Sequence, residues 1–440
     1  MKRFFSRLRP SFDRLFFLWL LVFPQVFLLW IPKDGYLSIA DAKLRALFAG
    51  CLLLTLFLMY RITAMLKRHY RAGTMPRLRH LSPLQTAALG YWISVLLSAL
   101  LSHYPEQAWS AEGAYSSAVV QSLYLFCFFC VSAWGRARKE LLWSMAVWLP
   151  FSVICILQLC GGNPLGLFPG GLEYKDAYTQ YNGQFIGTVG NVGLVSCIFC
   201  LAVPICLVSL WKGRGRLRFL LLIPVICILV IQCAIRVDSG FVGLGLGAIL
   251  TVCILSNVSR TKKRIAYACL ISAAVCAAVL LWFADPGIRL LHELHEILHG
   301  RIDNSFGTGR VFIWRQLLKY APDHPVFGAG PGTMLFSARK IVGIGKTESL
   351  GIFDAHNIYL HVFFEQGVVG LVFFLSITAH WLIPWIRRHG KSTALSALGA
   401  GLLCCTICML FSVSAVPAAP FFWIVLGLFD AEDSRIRHQG

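Results

Sequence analysis

Residues 354–370 read DAHNIYLHVFFEQGVVG, and the apolar run that begins inside them continues to about residue 386. A polar tetrad, Asp354-Ala355-His356-Asn357, leads into a segment long enough to cross a bilayer, and Glu365, Gly367 and Gly370 follow within it. The run is continuous and lacks the two-residue alternation of a barrel strand, so the spanning element is a helix. A titratable imidazole then stands where a loop meets a membrane helix.

Similar runs recur outward from this one in both directions. There are about twelve of them, at 15–31, 44–60, 83–101, 115–134, 141–160, 190–211, 217–235, 238–256, 265–284, 357–386, 393–413 and 416–429. The last is short and interrupted by Pro417 and Pro420. With 57% hydrophobic and only 14% charged residues, the chain has too little charge to cover a soluble surface of its length. The expected fold is an all-α integral membrane protein with about twelve transmembrane helices and one large extracytoplasmic helical loop.

Charge orients the bundle. Lys2, Arg3, Arg7, Arg9 and Arg14 precede the first run. The later loops on the same side carry Arg61 to Arg79, Arg136-Ala-Arg138-Lys139, Lys212 to Arg218, Arg260 to Arg264 and Arg387-Arg388. That face holds about 27 of the 40 basic and about 5 of the 20 acidic residues, the positive-inside pattern, so both termini are expected to be cytoplasmic. The net charge of +20 is thereby explained by topology and anionic-lipid contact, not by nucleic acid. The basic start and first apolar run lack a small-residue cleavage site before Pro32-Lys33-Asp34, so they read as a retained span.

All sixteen cysteines lie in apolar runs or at their edges. Cys127-Phe-Phe-Cys130 and Cys197-Ile-Phe-Cys200 have metal or redox spacing, but cysteine in membrane helices commonly serves as a small, soft hydrophobe, and that role is expected of both pairs.

Two external loops are long enough to fold. One runs from Gly161 to Val189 and ends in Gly187-Thr188-Val189-Gly190-Asn191. The other runs from Asp285 to Ala355, about 70 residues, a length usually tied to function. The chain accordingly divides into a bundle at 1–284, an extracytoplasmic loop at 285–356, and a second bundle with a short cytoplasmic tail at 357–440. Within the long loop, Ile288, Leu291, Leu294, Ile297 and Leu298 mark an amphipathic surface helix. Gly307-Thr308-Gly309-Arg310 opens a second helix that carries Trp314 and stops at Pro322. His324 to Met334 is a Gly/Pro-punctuated turn region.

Three groups of residues carry chemistry. His295-Glu296-Ile297-Leu298-His299 matches HExxH, the zinc-protease spacing, with His292 one turn earlier. The segment is interfacial and locally rich in His and Glu, so a surface helix is expected instead. Arg236, in CAIRVDSGFVG between two apolar runs, is costly at membrane depth unless it pairs with Asp238 or faces a hydrated site. Arg310 can offer its guanidinium fork to an anion, with the N-terminus of its own helix adding backbone donors. His356 alone is as compatible with an interfacial, backbone-bonded histidine as with a general base for a hydroxyl. Asp354 or Glu365 would fix its tautomer.

At these residues the chain resembles the O-antigen ligase family, the polytopic bacterial glycosyltransferases that include O-antigen ligases and polymerases. The signature of His, a polar residue, Gly and a small residue falls at His356, Asn357, Gly367 and Gly370. Gly309-Arg310 with Trp314, His324-Pro325 with Gly328, Gly330 and Gly332, and Gly190-Asn191 leading to Pro204 extend the likeness over residues 185–375. The resemblance implies a GT-C-like architecture in the bacterial cytoplasmic membrane. It implies His356 as the catalytic base and Arg310 and Arg236 as ligands of the diphosphate of an undecaprenyl-linked glycan. Asn357, Asp354, Glu365, Gly309, Trp314 and His324 are supporting residues. The family's usual Ser-Arg-Gly is replaced here by Arg236-Val-Asp-Ser239-Gly240.

The implied partners are that lipid-linked donor, an acceptor glycolipid or glycan, and the bilayer, with no nucleic acid. No DxD pair stands on the external face, which favours transfer without a metal or other cofactor. Ligase and polymerase share the donor and differ in acceptor. Less well matched are a protein O-oligosaccharyltransferase, a polysaccharide transporter and a zinc membrane protease; the chain has no clear internal repeat and few of the span-centre charges typical of transporters.

Overall fold

The structure, a computed structural model, describes residues 12–75, 80–110, 116–137, 148–168, 185–256, 260–341, 352, 354–412 and 415–439. The N-terminal basic cluster, Arg138-Lys139, the start of the 141–160 run, the middle of the 161–189 loop and the stretch just before Asp354 lie outside the described residues.

The described chain is helical apart from one small hairpin. In order come α1 (Phe12–Leu29), α2 (Ile39–Ala72), α3 (Pro83–Leu100), α4 (Ala118–Trp134) and α5 (Trp148–Leu159). The hairpin of β1 (Phe185–Ile186) and β2 (Gly190–Asn191) pairs Phe185 with Asn191. Next are α6 (Val192–Lys212), α7 (Leu222–Ile235), α8 (Asp238–Leu255) and α9 (Arg260–Phe283). The long loop supplies α10 (Arg289–Leu298), α11 (Arg310–Tyr320) and α12 (Met334–Ile341). The chain closes with α13 (Ile358–Arg388), α14 (Thr393–Cys408) and α15 (Ala419–Gln439).

Seven of the described helices are long and apolar enough to cross a membrane, and four more apolar helices are shorter. Together they make a multi-pass membrane protein. Among the expected runs, 115–134 folds as a helix of 17 residues that starts late because Ser117 caps it, and 393–413 as one of 16 residues, capped by Ser392, that ends early at Cys408. The final run, 416–429, begins a longer helix that carries Asp430, Glu432 and Asp433 to Gln439. These acids are buried and matched: Asp430 accepts from Ser82 at 2.7 Å and from Ser132, while Arg388 holds Asp433.

The bundle core is built by close approach of small residues. A Cβ on Gly243 of α8 would sit 2.8 Å from Cys200 and Cys408, and one on Gly401 of α14 would sit 2.7 Å from Ile205. In lipid, helix contact rests on this kind of packing rather than on water exclusion. The cysteines share in it as free thiols, with Cys197 and Cys405 Sγ atoms 3.5 Å apart and Cys51 and Cys127 likewise. Lys43 of α2, fully buried, closes the end of α1 by donating to the Phe27, Leu28 and Trp30 carbonyls at 2.6–2.8 Å. It supplies the donors that a helix C-terminus lacks.

Candidate active site

The site is organised by a break in α13. Gly367 sits at φ 67°, ψ −165° in the middle of that helix. Breaking a helix in a membrane leaves carbonyls and N–H groups that must find partners. The turn region 325–330 supplies them. Ala329 N–H donates to the Phe364 carbonyl at 2.9 Å and Gly330 N–H to the Glu365 carbonyl at 3.0 Å. Val368 and Val369 N–H groups donate back to Pro325 and Val326 carbonyls at 2.9 and 3.2 Å. Ser98 of α3 adds a hydroxyl to the Glu365 carbonyl at 2.6 Å. The fit explains two glycines. A Cβ on Gly367 would lie 2.6 Å from Phe327 N, and one on Gly328, at φ 72°, would lie 2.5 Å from Gln366 N.

The long loop is thus stitched to the membrane helix, and a second small core seals the seam. Leu317 of α11, Ala329, Met334, Ile352, Ala355 and Phe364 are buried together. Trp314, one of the expected supporting residues, donates its indole N–H to the Ala355 carbonyl at 2.8 Å. That bond tethers the residue before His356.

His356 itself adopts φ 50°, a left-handed conformation uncommon for a residue with a Cβ. Asp354 holds it there: its Oδ1 accepts from the His356 backbone N–H at 2.6 Å. Asn357 then caps α13, its Oδ1 accepting from Tyr359 and Leu360 N–H at 3.0 Å each. Burial lowers the His356 imidazole below its ordinary range; Asp354 opposes that shift, while the charges of Arg310 and His361 add to it. That direction favours the neutral form of the ring.

Arg310 stands at the start of α11 behind Gly309, whose φ of 85° turns the chain into the helix. Its Nη1 donates to the Gly307 carbonyl at 2.8 Å and to Thr308 Oγ1 at 3.1 Å. Its Nε is buried without a hydrogen-bond partner among the described residues. Burial lowers the guanidinium from its ordinary value, but arginine stays cationic. A buried donor left open in this way is suited to an anion.

Arg236 ends α7 at φ 51°. The turn is braced by Gln232, which donates to the Val237 carbonyl at 3.1 Å and accepts from Ser196 at 2.7 Å. The alternative of an Arg236–Asp238 pair is not what forms: Asp238 bonds Arg289 of α10 at 2.5 Å. Asp238 also bears on Arg310, so the turns carrying the two arginines lie at one end of the bundle.

Two expectations are corrected. Glu365 does not orient His356. It is fully buried, accepts from Gly332 N–H at 2.9 Å and Ser116 Oγ at 3.0 Å, and lies 3.1 Å from His361 Nε2. Asp354 likewise turns its second oxygen to His361 Nδ1 at 3.5 Å. A helix places positions four apart on one face, so the carboxylate of Glu365 meets His361 and not His356, which lies before the cap of the helix. His324, also expected in support, stands exposed and packs its ring at 5.0 Å from that of His103; its carbonyl accepts from Gly328 N–H at 2.9 Å and so holds the turn.

The HExxH segment lies on α10, none of whose side chains is buried. His292 bonds Asp285 at 2.6 Å, His295 the Leu281 carbonyl, His299 the His295 carbonyl at 2.8 Å, and Glu296 is held by Arg301 at 2.6 and 2.7 Å. Each imidazole is turned to its own local partner. Glu293 of the same helix accepts from Gly307 N–H at 2.9 Å, which braces the loop beside Arg310.

No curated protein matches the chain significantly. Residues 224–375, which contain Arg236, Arg310, Asp354, His356 and the break at Gly367, match the model of the O-antigen ligase family.

Proposed function

We propose that this membrane enzyme of O-antigen ligase or polymerase type moves a glycan from undecaprenyl diphosphate to an acceptor hydroxyl. The acceptor is lipid A core or an equivalent surface glycan. The reading rests on one observation above others: a half-buried imidazole on a fixed left-handed turn, within reach of the field of a guanidinium whose Nε is open.

In the proposed reaction His356 takes the proton of the acceptor hydroxyl as its oxygen attacks the anomeric carbon. The bond from that carbon to the diphosphate oxygen breaks, and undecaprenyl diphosphate leaves with the electron pair. Its growing charge meets Arg310 and Arg236, fixed donors in a site of low dielectric. A single displacement inverts the carbon. Trp314, Asp354 and Asn357 keep the imidazole in place, and Gly309 aims Arg310. The two arginines supply the countercharge, so the scheme requires no metal or other cofactor. A polymerase would use the same residues on a second lipid-linked repeat.

The proposed setting is a GT-C-like bundle of about twelve spans in the bacterial cytoplasmic membrane, with both termini inside and the 285–356 loop outside, supported by the charge asymmetry. Paired variants test the reading in membranes. His356→Ala is expected to abolish transfer of lipid-linked glycan to a larger product, and His295→Ala to retain it. Loss with His295→Ala alone would return the chemistry to the HExxH helix.

A further inference from the structure

Below His356 the structure holds a set of ionisable groups that the transfer scheme leaves unused. His361 is one helical turn into α13 and only 6% exposed. One carboxylate faces each ring nitrogen, Glu365 at 3.1 Å from Nε2 and Asp354 at 3.5 Å from Nδ1. Two carboxylates on either side of one ring are matched only by an imidazolium, which carries an N–H on both nitrogens. Without it, Glu365, at 0% exposure, would be a buried charge with no counter-ion, a costly arrangement.

Beside the ring lies a cavity of about 40 Å³, lined by His361, Ser116, Gln121, Tyr91 and Tyr124. That is room for water, and the lining is polar enough to hold it. Tyr124 Oη is buried there with no hydrogen-bond partner among the described residues. A hydrogen-bonded line runs from the cavity wall to the acid: Tyr91 donates to Gln121 at 2.9 Å, Gln121 to the Ser116 carbonyl at 2.6 Å, and Ser116 to Glu365 at 3.0 Å.

Asp354 joins this buried set to the proposed base. One of its oxygens fixes the His356 backbone, and the other faces His361. We propose that His361 is a positioning residue for glycan transfer, a buried cation that holds Asp354 and Glu365 and, through Asp354, sets the field in which His356 gains and loses its proton. This rests on the reading of His356 as the base. The groups facing the pair are Asp354 and Glu365, Tyr91 of α3 and Tyr124 of α4 across the cavity, and Arg310 of α11 on the His356 side.

The sign is fixed by charge. A positive His361 disfavours a second positive ring at His356 and partly neutralises Asp354. Replacing it by a neutral residue removes the repulsion and frees the carboxylate, so His356 holds its proton to higher pH. The test uses the full-length protein in membrane vesicles, with lipid-linked glycan donor and acceptor and the rate followed between about pH 5 and 8. His361→Gln and His361→Asn are expected to move the acid limb of the profile upward by roughly half a pH unit or more, and His361→Lys to leave it at the wild-type position. A uniform fall in rate with an unmoved limb in both neutral variants would reduce His361 to a packing residue and overturn the inference, with the base assignment intact. Transfer surviving in His356→Ala would instead overturn the base assignment itself.

Discussion

His356 occupies a backbone conformation that costs about 1–3 kcal/mol for a residue with a Cβ, and it does so between an acid-held turn and a capped helix. Strain kept by surrounding bonds is a device for fixing a side chain. Asp354 supplies the hydrogen bond and also the largest charge that favours a protonated His356. Asparagine at 354 retains the turn but removes the charge. Activity that needs the neutral ring is present above its pKa and lost as pH falls through it, so Asp354→Asn is expected to carry the acid limb to lower pH. A profile of kcat/KM against pH in the two proteins measures this. Trp314→Phe removes one hydrogen bond to the Ala355 carbonyl, worth about 1 kcal/mol, and is expected to lower transfer several-fold with the donor KM little changed. His356, Arg310, Asp354 and Asn357 were all legible in sequence as a polar tetrad and a Gly-opened helix. The partner of Glu365 was not, because the i,i+4 pair with His361 forms only once the helix is in place and the carboxylate is buried.

At the scale of elements, the break in α13 is what lets a water-exposed loop meet a membrane helix without orphaned backbone groups. Gly367 and Gly328 face each other's backbones at distances that leave no space for a Cβ. Gly367→Ala is expected to add about 1–3 kcal/mol of strain, on top of the clash. Its checkable outcome is loss of folded protein or of transfer, whereas Gly309→Ala meets no neighbouring atom within 4 Å and carries the φ cost alone. The sequence pattern marked Gly328, Gly330 and Gly332 in one group and Gly367 in another, but not that the segments around Gly328 and Gly367 interlock; only the exchanged carbonyls and N–H groups show why. Lys43 is a similar case. A lysine just before an apolar run gives no sign that it closes the end of the preceding helix, and Lys43→Met is expected to destabilise the bundle by about 1–3 kcal/mol through unpartnered carbonyls.

At the scale of the whole molecule, the helices read from hydrophobic runs recur in the structure, because length and apolarity are dictated by the bilayer. Their ends moved where caps and buried charges intervened, as at Ser117 and Asp430. α10 braces the turns that carry Arg236 and Arg310: Arg289 bonds Asp238 beside one arginine, and Glu293 bonds the loop of the other. That bracing could not be read from the amphipathic pattern, which reports only a surface helix. The measurement that bears most directly on the account separates donor binding from chemistry in purified His356→Ala protein. The account predicts lipid-linked donor bound as in the wild type and transfer reduced by about 10²–10⁴-fold, with Arg310→Ala weakening donor binding as well. Near-normal transfer by His356→Ala would contradict it.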